Sequence, residues 1–347
     1  MKLLFIGNVV YGNSCYSRYR GFIRNGINVD YINIEDYKIS NFIRFVPSRM
    51  RYYTTRLKKD IFIKLSANYD FVLFDQPFYL DDDFFFNLKN SSNSKIIFHM
   101  TDDLEYLDHG LMFDFKVLKK INYIFTCNKH NIKFLNENGV KNVYYNELGF
   151  DDEYVRLINK NVNSKKISFG FIGHYEKEYA KSIEAINSSI NLCNLEYNNA
   201  YLQLYGSGWY RKNFFKKKKY INMPDLFNKG YGAISHNKYW TLLNKFDIGI
   251  GLFSSMNRNN TAGRTFEIPA SNTLLLTKQS DIINNIFTNY DTAIFWDEKN
   301  INYVIRHILS DISLINKISR NGFELMNDGK YRWVDRVDEI IKIITSN

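Results

Sequence analysis

The sequence has little cysteine and no long apolar run. Its three cysteines, Cys15, Cys127 and Cys193, are odd in number and far apart, so they give neither a metal-binding spacing nor a disulfide framework. No apolar stretch approaches the roughly 20 residues that a membrane-spanning helix needs. The apolar part of the first residues, MKLLFIGNVVYG, is too short for a signal peptide. These absences predict a cytoplasmic protein.

The first loop also lacks the dinucleotide-binding fingerprint. Residues 7–20, GNVVYGNSCYSRYR, do not contain G-x-G-x-x-G, and no acidic residue sits cleanly at the end of the second predicted strand to hold a ribose. The polar residues of this loop suggest instead a surface that contacts an acceptor substrate, meaning a molecule to which a group is transferred. Arg18 can equally be a surface residue of the first helix. The acceptor-side candidates are Asn8, Ser14 and Arg18.

Length and charge narrow the class of protein. A chain of 347 residues fits two domains better than one or three, and 45% hydrophobic residues are enough for packed cores. The formal net charge of +10 favours phosphate-bearing partners, namely nucleotide sugars, anionic lipid surfaces or nucleic acid. Basic runs at residues 44–59 and 211–220 predict either a solvated face or a peripheral membrane site.

Strand and helix patterns alternate twice along the chain, with a polar stretch at residues 151–166 that predicts a linker. Because open α/β sheets bind ligands beyond the carboxyl ends of their strands, two such domains facing each other would form a cleft. The predicted strands are residues 2–6, 27–34, 69–75, 95–103, 121–128 and 141–149, then one from residue 167, 200–208, 246–253, 273–278 and 292–297.

The segment FHMTDD ends the fourth predicted strand with a histidine and two aspartates. A carboxylate at such a position often caps the following helix. A histidine and two carboxylates on the cleft side can also bind an acceptor hydroxyl or act as a general base. The candidate catalytic residues are His99, Asp102 and Asp103.

Glycine-containing turns end the first two predicted strands of the second half. Gly173 permits a tight turn, and the loop LYGSGW lets a ligand approach the backbone. Lys177 and Lys181 lie near the next helix start, where cations and free N–H groups suit a diphosphate; solvent-exposed lysines are the alternative. The donor-binding candidates in these turns are Gly173, His174, Lys177, Gly206, Ser207 and Gly208.

Residues 257–277, NRNNTAGRTFEIPASNTLLLT, place Arg264 and Glu267 three residues apart at a predicted helix start above an apolar strand. Residues i and i+3 share a helix face, so the two can form a structural pair at the helix end. They can also point together at a ligand, the glutamate accepting ribose hydroxyls and the arginine forking onto phosphate. The residues alone leave both interpretations open.

The C-terminal part resembles a known family. Residues 263–336 contain R-T-F-E-I-P-A, a leucine-rich strand, a strand leading into Asp and Glu, and a closing Y-x-W-x-x-R helix. In this order the motifs resemble the glycosyltransferases related to spore-maturation proteins, which have a group 1-like C-terminal domain. Looser matches, such as FIGHYEKE, LYGSGW and FHMTDD, extend the resemblance over nearly the whole chain.

The resemblance implies an α/β protein of the GT-B fold, with two Rossmann-like domains facing across a cleft. Its domains would be an N-terminal acceptor-binding domain at residues 1–152, a C-terminal nucleotide-sugar donor domain at 166–330, and a last helix at 331–347 that packs back on the first domain.

The wider GT-B group carries a donor motif of two glutamates separated by seven residues. Glu267 matches the second glutamate, which holds the donor ribose. Asn259 stands at the first position, where it can hydrogen-bond a sugar but carries no charge. Tyr179 stands where many relatives have arginine, so nearby cations would contact the phosphate. The donor-binding candidates implied here are Asn259, Arg264, Thr265 and Glu267.

The implied reaction moves a sugar from a nucleotide-diphosphate sugar to an acceptor hydroxyl, in cell-surface polysaccharide or glycoconjugate synthesis. Cations and helix-start N–H groups would stabilise the leaving diphosphate without a metal, so we expect no metal and no cofactor besides the donor. A retaining outcome is favoured, in which the leaving phosphate takes the proton; an inverting enzyme would need a base from the first domain.

The expected partners are a nucleotide sugar and a glycan or lipid-linked acceptor, and no nucleic acid. Peripheral association with the inner face of an anionic membrane is left open. The alternative functions are a non-catalytic nucleotide- or glycan-binding module and a GT-B-like sugar-nucleotide epimerase.

Overall fold

The computed structural model describes residues 1–38, 54–77, 79–105, 113–155, 166–197, 199–209, 230–253, 258 and 260–346. By its internal contacts the chain forms two compact units, each built around its own parallel sheet. The first unit comprises Met1–Leu148, Met256–Asn259 and Trp333–Asn347, and the second comprises Gly149–Ser255 and Asn260–Arg332.

The first sheet has six parallel strands in the order β2-β1-β3-β4-β5-β6. The chain therefore moves from β1 to one side and then returns to the other, so that β1 and β3 flank the point where the strand order reverses. Ligands of open α/β sheets bind at such a point. The strands are β1 (Lys2–Gly7), β2 (Asn28–Asn33), β3 (Phe71–Asp75), β4 (Lys95–Met100), β5 (Tyr123–Thr126) and β6 (Val143–Tyr145).

The second sheet has six parallel strands in the order β12-β11-β10-β7-β8-β9. Here the order reverses between β7 and β10, as in a Rossmann sheet. The short strand β9 was not predicted, because two residues are too few to produce a period-two pattern. The strands are β7 (Ile167–Ile172), β8 (Ala200–Tyr205), β9 (Gly230–Tyr231), β10 (Ile248–Gly251), β11 (Leu274–Lys278) and β12 (Ile294–Trp296).

Helices connect the strands of both sheets, and the predicted α/β class is confirmed. None of the helices in the described ranges is both long and apolar enough to cross a membrane. The helices are α1 (Ser14–Arg24), α2 (Thr54–Leu65), α3 (Asp82–Ser91), α4 (Phe115–Leu118), α5 (Lys129–Glu137), α6 (Lys177–Asn194), α7 (His236–Leu243), α8 (Gly263–Ala270), α9 (Asp281–Ile286), α10 (Ile301–Ser310), α11 (Ile312–Asp328) and α12 (Trp333–Thr345).

The last helix, α12, packs against α1 of the first unit. A Cβ atom at Gly21 would lie 2.8 Å from the Val337 side chain, so glycine permits the close approach of the two helices. The Asn25 amide donates to the Val334 carbonyl at 2.9 Å, and the Arg18 guanidinium lies over the Trp333 ring, 4.8 Å from its centroid. The tryptophan of the closing motif therefore has a structural partner in the first helix.

Candidate functional site

A buried ion pair occupies the β1/β3 switch point of the first unit. Arg18 donates from Nε to Asp75 Oδ2 at 2.6 Å and from Nη2 to Asp75 Oδ1 at 2.8 Å, and both side chains are buried. Burial opposes ionisation of Asp75, but Arg18 outweighs it and lowers the pKa of this carboxyl below its usual value. The alternative that Arg18 is a surface residue is therefore wrong.

The three candidate catalytic residues occupy different environments. His99 is only 1% exposed, and within the described residues neither of its ring nitrogens makes a hydrogen bond. Burial, with the nearby Arg18 charge, lowers the pKa of His99 to about 3. The imidazole is therefore neutral at neutral pH and is shielded from solvent.

Asp103 is buried and held by Arg258, a residue that the sequence did not single out. Arg258 donates from Nε to Oδ2 at 2.7 Å and from Nη2 to Oδ1 at 2.9 Å. Asp103 also accepts the Glu105 backbone N–H at 3.2 Å. Burial raises the pKa of Asp103, but these hydrogen bonds outweigh it, and the net shift is downward. The Asp103 carboxylate is therefore ionised at neutral pH, and both of its oxygens accept hydrogen bonds.

Asp102 is the exposed member of the three. Surrounding protein still reduces the solvation of its carboxylate, and the charge of Asp75 adds repulsion, so the pKa of Asp102 is raised. Gln76 lies within 3.4 Å of Oδ2. Of the three predicted residues, only Asp102 is both exposed to solvent and raised in pKa. A general base requires this combination.

The loop after β1 is fixed by its own polar side chains. Asn8 donates to Glu35 at 3.0 Å and accepts from Asn13, which in turn caps α1 through the Tyr16 N–H. Ser14, the first residue of α1, is exposed. Of the acceptor-side candidates, Asn8 therefore shapes the loop through its amide, Ser14 has an exposed side chain, and Arg18 is buried.

In the second unit, Arg264 bridges the two strands that flank the switch point. Its Nη1 donates to the Ile172 carbonyl at the end of β7, and its Nη2 donates to the Leu252 carbonyl just after β10 at 3.1 Å. The guanidinium lies 4.8 Å from the ring centroid of Phe171 and 5.8 Å from that of Tyr179. Arg264 thus holds the strand ends at the predicted ligand position, with one hydrogen bond from each Nη group and none from Nε among the described residues.

Glu267 does not pair with Arg264 among the described residues; its Oε2 accepts from the Tyr239 hydroxyl of α7. The Glu267 carboxylate folds back along α8, where a Cβ at Gly263 would lie 3.3 Å from Oε1. Burial raises the pKa of Glu267, while Tyr239 and Arg264 act in the opposite direction. The Glu267 carboxylate therefore lies beside the start of α8, with Oε1 accepting no hydrogen bond from the described residues.

Thr265 has a local role at the same helix start. It is buried, and its Oγ1 accepts the Ala262 N–H at 3.1 Å. This bond satisfies a backbone donor at the N-terminus of α8. Asn259 lies outside the described residues, as do 44–53 and 211–220 of the two basic runs.

The glycine loops after β7 and β8 pack against each other. The Tyr175 N–H donates to the Ser207 carbonyl at 2.8 Å, and Trp209 Nε1 donates to the Gly173 carbonyl at 2.7 Å. A Cβ at Gly173 would overlap Arg264, and one at Gly208 would lie 2.7 Å from Tyr175 Cβ. These glycines therefore allow the loops and Arg264 to approach closely, a role that the sequence did not predict.

Replacing Gly206 by alanine is expected to destabilise the second unit. Gly206 has φ +135°, and a Cβ there would overlap the Gly173 carbonyl. Backbone strain and this clash should lower the free energy of unfolding by about 2 kcal/mol or more, measured by urea titration. Gly232→Ala is the control, since a Cβ there meets nothing within 4 Å. Equal unfolding midpoints for the two variants would contradict the packing role.

The start of α6 carries exposed cations. Lys177 and Lys181 are both exposed, and no contact with the described residues occupies their amines. His174 is 68% exposed and pairs with Glu176 at 2.8 Å. Tyr179 is buried beside Arg264. The two lysines are thus exposed cations at the start of α6.

Three side chains of these arrangements were missed from the sequence: Asp75, Arg258 and Tyr239. Asp75 ends an apolar strand, the same signal that selected the FHMTDD residues, and could have been found. Arg258 and Tyr239 have no such signal, because their partners are 155 and 28 residues away.

The chain is similar to known proteins in one domain and in its fold. Residues 191–342 match the family described as glycosyl transferase-like. No curated protein matches the chain. The fold is similar to sucrose-phosphate synthase from Thermosynechococcus elongatus, with a TM-score of 0.68 and 10% identity over 100% of this chain and 98% of that chain.

Two further structures cover the chain almost completely. An α-glucosyltransferase in complex with UDP-glucose and DNA containing an abasic site has a TM-score of 0.67 and 14% identity over 99% of both chains. HepE of Anabaena in complex with UDP-glucose has a TM-score of 0.65 and 10% identity over 100% of both. Identities this low show the fold alone, which is the predicted GT-B fold. Residues 191–342 therefore form a glycosyl transferase-like domain, and the chain has the fold of GT-B glycosyltransferases.

Proposed function

We propose that the second unit binds a nucleoside-diphosphate sugar and that the enzyme transfers its sugar to an acceptor hydroxyl. The observation that carries this proposal is the position of Glu267, whose carboxylate folds back toward the start of α8 next to Arg264 at the switch point. Two of the three similar structures contain UDP-glucose, which supports UDP as the nucleotide.

Glu267 would accept the ribose hydroxyls of the donor. A carboxylate offers about four lone-pair sites, and only one bond, from Tyr239 to Oε2, is made among the described residues. The diphosphate would then lie at the N-terminus of α8, where backbone N–H groups lack helical partners. Donor recognition would thus use one helix start for both parts of the nucleotide.

Arg264 would stabilise the leaving diphosphate as a charge held in place at the switch point. Each of its Nη groups donates one hydrogen bond to a strand-end carbonyl, and a guanidinium has five N–H donors, so donors remain for a phosphate oxygen while the carbonyl bonds stay intact. A preorganised cation still favours the negative charge that grows as the glycosidic bond breaks. The exposed Lys177 and Lys181 are the candidates for direct phosphate contact.

We further propose a metal-independent, retaining transfer, with the first unit binding the acceptor. The leaving phosphate would take the acceptor proton, and no protein base would be needed. The sequence resemblance supports a role in cell-surface polysaccharide or glycoconjugate synthesis, in the family related to spore-maturation proteins, with a glycan or lipid-linked acceptor. Location in the cytoplasm at the inner membrane face would follow from that acceptor.

A donor screen tests the proposal. The protein is incubated with a panel of nucleotide sugars, and release of nucleoside diphosphate is measured with and without EDTA. We expect turnover with at least one UDP-sugar, unchanged by EDTA, and a product that keeps the donor's anomeric configuration by NMR. An EDTA-sensitive rate would contradict metal independence, and an inverted product would direct attention to Asp102.

The same screen separates the alternative functions. An epimerase would invert one stereocentre of the sugar, and its product would still be a nucleotide sugar. A binding module would bind UDP but release no diphosphate from any donor, alone or with acceptors. Either result would overturn the proposed transfer.

A further inference from the structure

Glu267 has a partner that the sequence gives no reason to expect. The Tyr239 hydroxyl, on α7, donates to Glu267 Oε2. Burial, followed by the Glu267 charge and this hydrogen bond, raises the pKa of Tyr239 well above its usual value, so the phenol stays a donor at neutral pH. The contact is therefore a hydrogen bond from a neutral phenol to a carboxylate, which is a strong type.

This bond fixes one oxygen of the carboxylate and leaves the other open. Oε1 accepts nothing from the described residues and lies next to the Cα of Gly263, in the first turn of α8. A glutamate side chain has three rotatable bonds, and holding it in one geometry costs conformational entropy. A partner that orients it before the ligand arrives removes that cost from binding.

We propose that Tyr239 is a positioning residue for the donor: it holds the Glu267 carboxylate so that Oε1 faces the ribose of a nucleoside diphosphate. The inference rests on the proposed function, since it assigns to Tyr239 the task of orienting the donor-binding group. Tyr239 does not need to touch the nucleotide.

A positioning role predicts a particular pH dependence. Among the described residues, three charged or titratable groups act on Glu267: Tyr239 from α7, Arg264 from α8 and Asp151 from the segment after β6. The Tyr239 bond favours the ionised carboxylate, so its removal raises the pKa of Glu267 further. Nucleotide binding needs the ionised form of Glu267. On acidification, a variant without the Tyr239 hydroxyl would therefore begin to lose affinity at a higher pH than the wild type.

The experiment is calorimetric titration of UDP into the wild type and Tyr239→Phe across pH. We expect Tyr239→Phe to bind UDP about tenfold more weakly near pH 7, and the acid limb of the affinity profile to move to higher pH. Tyr303→Phe is the matched control. Tyr303 is 66% exposed and its ring stacks on His307, so this variant should bind like the wild type.

Glu267→Gln separates the possible outcomes. In that background any remaining acid limb belongs to other groups, such as the UDP terminal phosphate, and adding Tyr239→Phe should not move it. If Glu267→Ala loses UDP but Tyr239→Phe binds as the wild type, or is weakened equally at every pH, the positioning role is wrong while the proposed function stands. A Tyr239→Phe protein that fails to fold also overturns it, because the hydroxyl would then be structural. No UDP binding by the wild type would instead refute UDP as the donor nucleotide.

Discussion

Replacing Glu267 by alanine is expected to lower UDP affinity, and kcat/KM for the donor, by about a hundredfold or more. The estimate assumes two ribose hydroxyls bonded to a charged acceptor, each contributing about 1.5–3 kcal/mol. The substitution also removes the carboxylate that lies beside the first residue of α8. Calorimetry with UDP and a coupled assay for released UDP measure the two quantities.

Glu324→Ala is a suitable control for this loss. Glu324 lies on α11 and is exposed, so its removal takes one negative charge from the second unit without changing the switch point. Glu267→Ala should unfold at a temperature close to that of the control. If both variants bind UDP with wild-type affinity, Glu267 is not the ribose ligand.

The strands were predictable because the signal for each one is local. Runs such as KLLFI and FVLFD carry their own apolar pattern, and in the structure both are buried strands of one parallel sheet. The strand orders were not predictable, since pairing depends on contacts between segments far apart in the chain. The switch points, and therefore the position of Arg264 between β7 and β10, follow only from those orders.

Motifs indicated the important segments better than the role of each side chain. The segment at residues 257–277 singled out Arg264, and the structure shows its guanidinium bonded to the ends of two strands. Nothing within residues 257–277 could reveal that, because the acceptors are carbonyls of other segments. The same holds for Arg18: its helix predicts amphipathic packing, while its partner Asp75 is 57 residues away.

Replacing Asp75 by alanine is expected to reduce the stability of the first unit by about 3–5 kcal/mol, the usual cost of leaving a buried charge without its partner. Arg18 is 2% exposed and donates two hydrogen bonds to Asp75, so the substitution leaves an uncompensated guanidinium below the Trp333 ring. Since Trp333 begins α12, packing of the last helix on α1 should weaken as well. Urea unfolding followed by tryptophan fluorescence measures both effects.

A double variant distinguishes a lost charge pair from lost packing. Arg18→Met combined with Asp75→Leu removes both charges and keeps apolar volume, so it should recover much of the stability that Asp75→Ala loses. The pKa of Asp75 is lowered in the folded protein, so its contribution is complete above the unfolded-state value near 4 and is lost as the pH falls through the folded value. The difference in unfolding free energy between the wild type and Asp75→Ala should therefore shrink in acid. A constant difference between the two proteins from neutral pH into strong acid would show that Asp75 stabilises the unit through packing, not through its charge.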